Sequence, residues 1–391
     1  MQFAQSIGRL GTESAFTVLA RAGRLQAEGR DIVNLGIGQP DFPTPPHIVE
    51  AGVKALRDGH HGYTPAGGIP ALREAVAADL HRRHGVTVDP GRVIVVPGGK
   101  PTMFYAMLLF GEPGAEIVYP DPGFPIYRSA IEFTGARAVP YALPEDTGFA
   151  FSAADVLSKI TPDTRLLILN SPGNPTGGVT PRAEIDALVA GLADHPDVVI
   201  LSDEIYSQML HGGREHVSLL QYPEIADRVI MLDGWSKTYA MTGWRLGYAV
   251  WPASCVDPVT RLCINDHSCV NASAQHAGLA ALTGPQDAVA TMRAAFEARA
   301  NATWDALKTL PGIRCMQPAG AFYLFPNIEG TGLSSAAAQD LLLEQAGVAT
   351  IAGTAFGPSG EGFLRLSAAA SQDRIDDAID RMRRTLELAM T

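Results

Sequence analysis

The chain has 391 residues, 46% of them hydrophobic, which is enough for two domains or one large domain with a smaller partner. Its formal net charge of −11 argues against a nucleic-acid footprint, and its ten histidines, without HxxxH or HExxH spacing, give metal catalysis no support. Cys255, Cys263, Cys269 and Cys315 form no CxxC pair, the N-terminal stretch with Arg9 and Glu13 lacks signal-peptide character, and no run approaches the ~18 apolar residues of a membrane span; a soluble cytoplasmic protein is expected.

Residues 16–28 have helix-compatible composition, followed by the Gly/Pro-rich segment LGIGQPDFPTPP. Helical stretches at 46–58, 69–84, 102–110, 126–133 and 181–194 then alternate with the apolar runs RVIVVP, EIVYP, RLLILN, VVILSD, RVIML and LGYAV. Strands apolar on both faces, alternating with helices, predict an α/β fold whose parallel sheet is covered on both sides. Functional residues are then expected at the carboxyl ends of the strands. After about residue 256 the pattern changes to alanine-rich helices, clearest at 286–310. The short strand-like pieces AFYLF, GVATI and FLRLS and a final helix at 372–390 suggest a second, α+β domain.

The candidate nucleophile is Lys237, in DGWSKTYAMTGWRLG at 233–247. It stands between the strand RVIML and a glycine-broken loop, with Arg245 eight residues later. An amine held near a cation and away from bulk water has its pKa lowered and can form a Schiff base with an aldehyde. A lone lysine in a loop also fits a solvated surface charge. The same two-sided reading applies to the glycine segments. Gly36 and Gly38 fit a turn or a close approach to a ligand carboxylate, and Gly98, Gly99 and Lys100 fit a plain turn or an anion site at a helix start, where Pro101 has no N–H to offer. On the residues alone, Asp203, at a strand end, fits a solvated or salt-bridged carboxylate, and Arg365 fits a surface arginine on an edge strand.

The run S-K-T-Y-A-M-T-G-W-R resembles the pyridoxal-phosphate (PLP) lysine signature of the class I aspartate aminotransferase family, fold type I of the PLP enzymes. The likeness extends over nearly the whole chain through separated motifs. It implies a large PLP-binding domain at 45–299 with a mostly parallel central sheet, and a discontinuous small domain formed by 1–44 and 300–391. It also implies a homodimer with shared active sites.

Residue by residue, the resemblance makes Lys237 the Schiff-base lysine and proton carrier, and Asp203 the partner of the pyridine nitrogen. Tyr206 and Asn174 would meet the cofactor's phenolic oxygen, and Gly99, Lys100, Ser236 and Arg245 its phosphate. Tyr63, in Y-x-P-x-x-G-x-x-x-L-R, would reach the neighbouring subunit's phosphate. Gly38, Asn174 and Arg365 would contact substrate, Arg365 through the α-carboxylate. Pro172 and Pro175 resemble cis positions, and Asp266, His267 and Ser268 resemble a loop that reaches the partner's site.

The implied activity is a ping-pong transfer of an amino group from an L-amino acid to a 2-oxo acid. A non-transaminating PLP reaction (C–S β-lyase, racemase, decarboxylase or cyclase) is the alternative, and a non-catalytic PLP or amino-acid sensor a distant one. Two departures bear on substrate. Phe124 stands where many relatives carry a stacking tryptophan, and Glu13, Ala15 and Phe16 stand where dicarboxylate-selective relatives carry small hydroxyl residues. Aspartate is therefore not expected to be uniquely preferred over neutral or basic donors, unless Lys100 turns inward to meet an acidic side chain.

Overall fold

The computed structural model describes residues 1–390. Val33–Asn34 (β1) precedes the seven strands of a central sheet: Val93–Val96 (β2), Glu116–Asp121 (β3), Arg137–Ala142 (β4), Thr164–Asn170 (β5), Val199–Asp203 (β6), Val229–Gly234 (β7) and Gly247–Val250 (β8). Four short strands follow: Tyr323–Leu324 (β9), Val348–Ala349 (β10), Ile351–Ala352 (β11) and Leu364–Ser367 (β12).

The central order is β2-β8-β7-β6-β5-β3-β4. Successive side chains of a strand point to opposite faces, so each strand feeds two cores at once. Val93, Val95, Leu167, Leu169, Val229 and Met231 join one buried cluster; their neighbours Ile94, Val96, Leu166, Ile168, Ile230 and Leu232 join the other. Each such side chain, fully withdrawn from water, stabilises the fold by about 1.5–3 kcal/mol.

The sheet is mostly parallel, as expected; its exception is β8, which runs antiparallel to both β2 and β7. Gly234, the last residue of β7, pairs with Gly247, the first of β8, so the intervening segment leaves and re-enters the sheet at one rim. That return forces the antiparallel direction. An apolar run buried on both faces carries no mark of direction. The edge strand β4 was also absent from the apolar pattern, because it alternates buried and exposed positions and carries Pro140, which an edge tolerates. The helix expected at 102–110 begins at Lys100 and places Pro101 in its first turn, where a missing N–H costs nothing.

The change in composition near residue 256 does not end the large core. Val259 and Cys263 enter one central cluster, and Ala277 and Ala281 the other. A separate cluster joins Val33 and Leu35 to Leu307, Leu324, Leu366 and Met382. The GVATI run splits: β10 pairs in parallel with β1, whereas β11 pairs with β12, which lies between β11 and β9.

Candidate active site

Three carboxyl ends of the central sheet stand side by side, with Asn170 of β5 paired with Asp203 of β6 and the loop after β7 carrying Ser236 and Lys237. Across from them lie the segment after β1 and the strands β9 and β12. Between them is a cavity of about 480 Å³.

Lys237 sits on the short helix Trp235–Thr238, which is anchored by Trp235, buried and donating from Nε1 to the Gly278 carbonyl at 3.0 Å. Its Nζ donates to the Gly38 carbonyl at 2.6 Å. Burial, followed by the charges of Arg365 and Arg245, brings its pKa down to about 8. An amine so placed is uncharged far more often near neutral pH than an ordinary lysine.

Asp203 is buried, accepts from the Tyr127 hydroxyl at 2.6 Å and from the Ile205 amide at 3.2 Å, and is pushed up to about 6 by burial. Asn170 braces the same strand end, donating to the Asp203 carbonyl at 3.1 Å and accepting from the Asn174 amide at 3.0 Å. The hydroxyls of Tyr206 and Tyr323 are 2.8 Å apart, and burial holds Tyr206 well above the ordinary phenol range, so it stays protonated.

Arg365 lies on the central strand of the small sheet, not at an edge, and is 4% exposed. Its Nη1 donates to Asn174 Oδ1 at 3.0 Å and its Nη2 to the Gly36 carbonyl at 2.5 Å. The guanidinium lies 4.8 Å from the ring centres of both Tyr323 and Phe356, and its buried Nε has no partner among the described residues. A planar cation with a spare donor suits a carboxylate.

Arg245 adopts the left-handed conformation (φ 55°) and donates to the carbonyls of Thr242 at 2.9 Å and Pro97 at 3.2 Å. Gly98, itself at φ 83°, makes room for it: a Cβ there would stand 2.2 Å from Arg245 Nη2. Gly99, Ser236 and Phe124 also line the cavity. Lys100 lines it too, but its ammonium is paired with Glu13 and lies 5.3 Å and 5.8 Å from the ring centres of Phe16 and Phe124. The side chain expected at a phosphate is thus engaged by a carboxylate, and its turn keeps only backbone N–H groups for an anion.

Tyr63 is not brought to this cavity. It is 94% exposed and borders a second depression of about 310 Å³ with His60, His61 and Cys269. Asp266 and His267 are engaged with the Tyr105 hydroxyl, at 2.6 Å and 3.1 Å. The peptide bonds before Pro172 and Pro175 are cis, as is that before Pro122.

Sequence reasoning passed over Tyr127 and Tyr323. Neither lies in a motif with a fixed offset to Lys237, and only the packing of the chain brings them to Asp203, Tyr206 and Arg365.

Residues 30–382 match the family described as aminotransferase class I and II. An aspartate aminotransferase of Geobacillus stearothermophilus is 37% identical over 99% of each chain. Aromatic-amino-acid aminotransferase 2 of Thermococcus litoralis is 36% identical over 91% of this chain and 92% of its own. The crystal structure of the aspartate aminotransferase from Rhizobium meliloti superposes with a TM-score of 0.94 at 32% identity, covering 99% of each chain. Enzymes of this family use PLP and share the fold type I architecture seen here, with its mostly parallel sheet enclosed by helices. The chain belongs to the class I and II aminotransferases.

Proposed function

We propose that this aminotransferase holds PLP through Lys237 and transfers the amino group of an L-amino acid to a 2-oxo acid in two half-reactions. The observation that carries the reading is a lysine with a depressed pKa at the carboxyl rim of the sheet, in one cavity with a buried carboxylate, Asp203. The residues fit the cofactor. Asp203, destabilised by burial as an anion, is suited to a cationic ring nitrogen, and Arg245 with Ser236 and the Gly98–Gly99 turn is suited to a phosphate. When bound, PLP supplies an aldehyde for an amine and a ring that withdraws electrons from the substrate α-carbon.

The protein's share is positioning and proton transfer. Arg365 holds the substrate α-carboxylate with help from Asn174, and Gly38 lets backbone approach without a Cβ. Phe124 offers a ring face, and Tyr206, kept protonated, donates toward the cofactor's phenolic oxygen. The Lys237 amine, released when the substrate amine takes its place, would remove the α-proton and carry it to the cofactor. The two-domain division at 45–299 against 1–44 with 300–391 is part of the same reading, supported by the cluster that joins Val33 and Leu35 to the C-terminal strands. So is a two-fold dimer, in which the exposed Tyr63 would serve the neighbouring site. A cytoplasmic location is supported by four free cysteines. Among the described residues no helix is long and apolar enough to cross a membrane.

The test is a single-turnover screen. The PLP-loaded protein is mixed with one amino acid at a time, without an oxo acid, and the product is quantified. The reading expects at most one 2-oxo acid per subunit, with a second turnover only after an oxo acid is added. Release of ammonia or sulfide with repeated turnover would replace it by a lyase.

A further inference from the structure

We propose that Glu13 acts as an internal carboxylate that occupies Lys100, biasing the cavity against amino acids with acidic side chains and toward uncharged ones. That these amino acids are substrates rests on the aminotransferase reading; the preference itself is a property of the cavity.

Four cations line the cavity: Lys100, Lys237, Arg245 and Arg365. Three of them donate to neutral oxygens, those of Gly38, of Thr242 and Pro97, and of Asn174 and Gly36. The charges of Arg245 and Arg365 therefore stay available to an anion. Lys100 alone among these four is held by a carboxylate, that of Glu13. The cancelled charge therefore belongs to the one cation not already committed to the lysine, phosphate or α-carboxylate positions.

Glu13 is the more enclosed member of the pair, its side chain 11% exposed against 43% for Lys100. Its place is set by backbone, since its carbonyl accepts from the Phe16 amide at the start of the helix Ser14–Ala27. A ligand carboxylate arriving at Lys100 would meet a second negative charge that cannot easily leave. Breaking the pair would strand Glu13 in a partly desolvated wall, so repulsion and desolvation act in the same direction. An uncharged side chain meets neither penalty. It finds the rings of Phe16 and Phe124, over which the Lys100 ammonium is already placed, and Ala15, which leaves space. An exposed ion pair contributes little to stability, but one in a cavity wall changes which ligand is rejected.

The experiment uses the PLP-loaded protein and two unreactive acids, succinate and 3-phenylpropionate, with binding read from the cofactor absorbance. Four proteins are compared: wild type, Glu13→Gln, Lys100→Gln and the double variant; Glu13→Ser is a second form in case the glutamine disturbs the helix start. Both Glu13 variants should tighten succinate by about tenfold or more while changing 3-phenylpropionate less than about threefold. Adding Lys100→Gln should remove the gain. The ratio of aspartate to phenylalanine conversion should move the same way. Unchanged succinate affinity in both Glu13 variants, or a gain that survives the loss of Lys100, would overturn the proposal. If the two acids bind with the expected pattern but no amino acid yields a 2-oxo acid, the aminotransferase reading falls while the role of Glu13 stands.

Discussion

The Tyr127 hydroxyl donates to Asp203 Oδ2 at 2.6 Å, tying the helix Ile126–Thr134 to the carboxyl end of β6. Burial raises the Asp203 pKa to about 6, and this bond is the leading influence in the opposite direction. Tyr127→Phe should therefore raise it further. Because a proton on Asp203 removes its attraction for a cationic ring nitrogen, PLP affinity should fall as pH drops through about 6 in the wild type, and from a higher pH in the variant. Near pH 6.5 the variant should bind PLP about threefold to tenfold more weakly, the scale of one net intramolecular hydrogen bond. Fluorescence titration of the apo protein with PLP between pH 5 and 8.5 measures this. Superimposable profiles would mean that Asp203 does not face the cofactor.

Lys237 gives a second pH signature. Only the uncharged amine attacks an aldehyde, and the Lys237 pKa is lowered to about 8. The rate of PLP capture by the apo protein, followed by borohydride trapping, should rise with pH and level off above about 8, not near the ordinary lysine value. Peptide mapping should place the label on Lys237, and Lys237→Ala should lose transamination by at least about a thousandfold. A label on Lys54, Lys100 or Lys159 would overturn the assignment. The sign for stability is the reverse of a salt bridge. A lysine with a depressed pKa weakens the apo fold most below about pH 8, and this burden disappears above its unfolded value.

A Cβ on Gly38 would stand 2.0 Å from the Tyr323 hydroxyl oxygen and 2.9 Å from Tyr323 Cζ. Gly38→Ala should push Tyr323 off Arg365 and Tyr206, destabilising the apo protein by about 1–3 kcal/mol as overpacking does. Binding of a monocarboxylate should weaken with it. Tyr323→Phe in the same chain should recover part of the stability, not all, because the contact with Cζ survives. Urea denaturation compares the three proteins.

The dimer proposal makes a mixing prediction. If Tyr63 serves the neighbouring site, a heterodimer of Lys237→Ala with a disabling Tyr63 variant has one site with both lesions and one with neither. Random pairing of two inactive parents should restore about a quarter of wild-type activity, by the two-fold logic of an isologous interface. No recovery, with heterodimers confirmed by tagged purification, would mean that Tyr63 does not act across the interface.

Much of the fold was legible because it rests on local rules. Alternation of apolar runs with helices announced a covered sheet, since every strand must bury both faces, and the glycines and prolines near Lys237, Asn174 and Gly98 marked irregular backbone at strand ends. Candidates as distant in sequence as Gly38 and Arg365 could be named from motifs, without any statement of distance between them. The tertiary structure decided what depends on direction and on partners far apart in the chain. The reversal of β8 follows from where the Lys237 segment re-enters the sheet, which hydrophobicity does not encode. Tyr127 and Tyr323 reach Asp203 and Arg365 only through packing. Lys100 carries the same formal charge in any reading of the sequence, but its effect on a ligand depends on Glu13, 87 positions earlier. A charge acts through the field of its neighbours, and those neighbours are chosen by the fold.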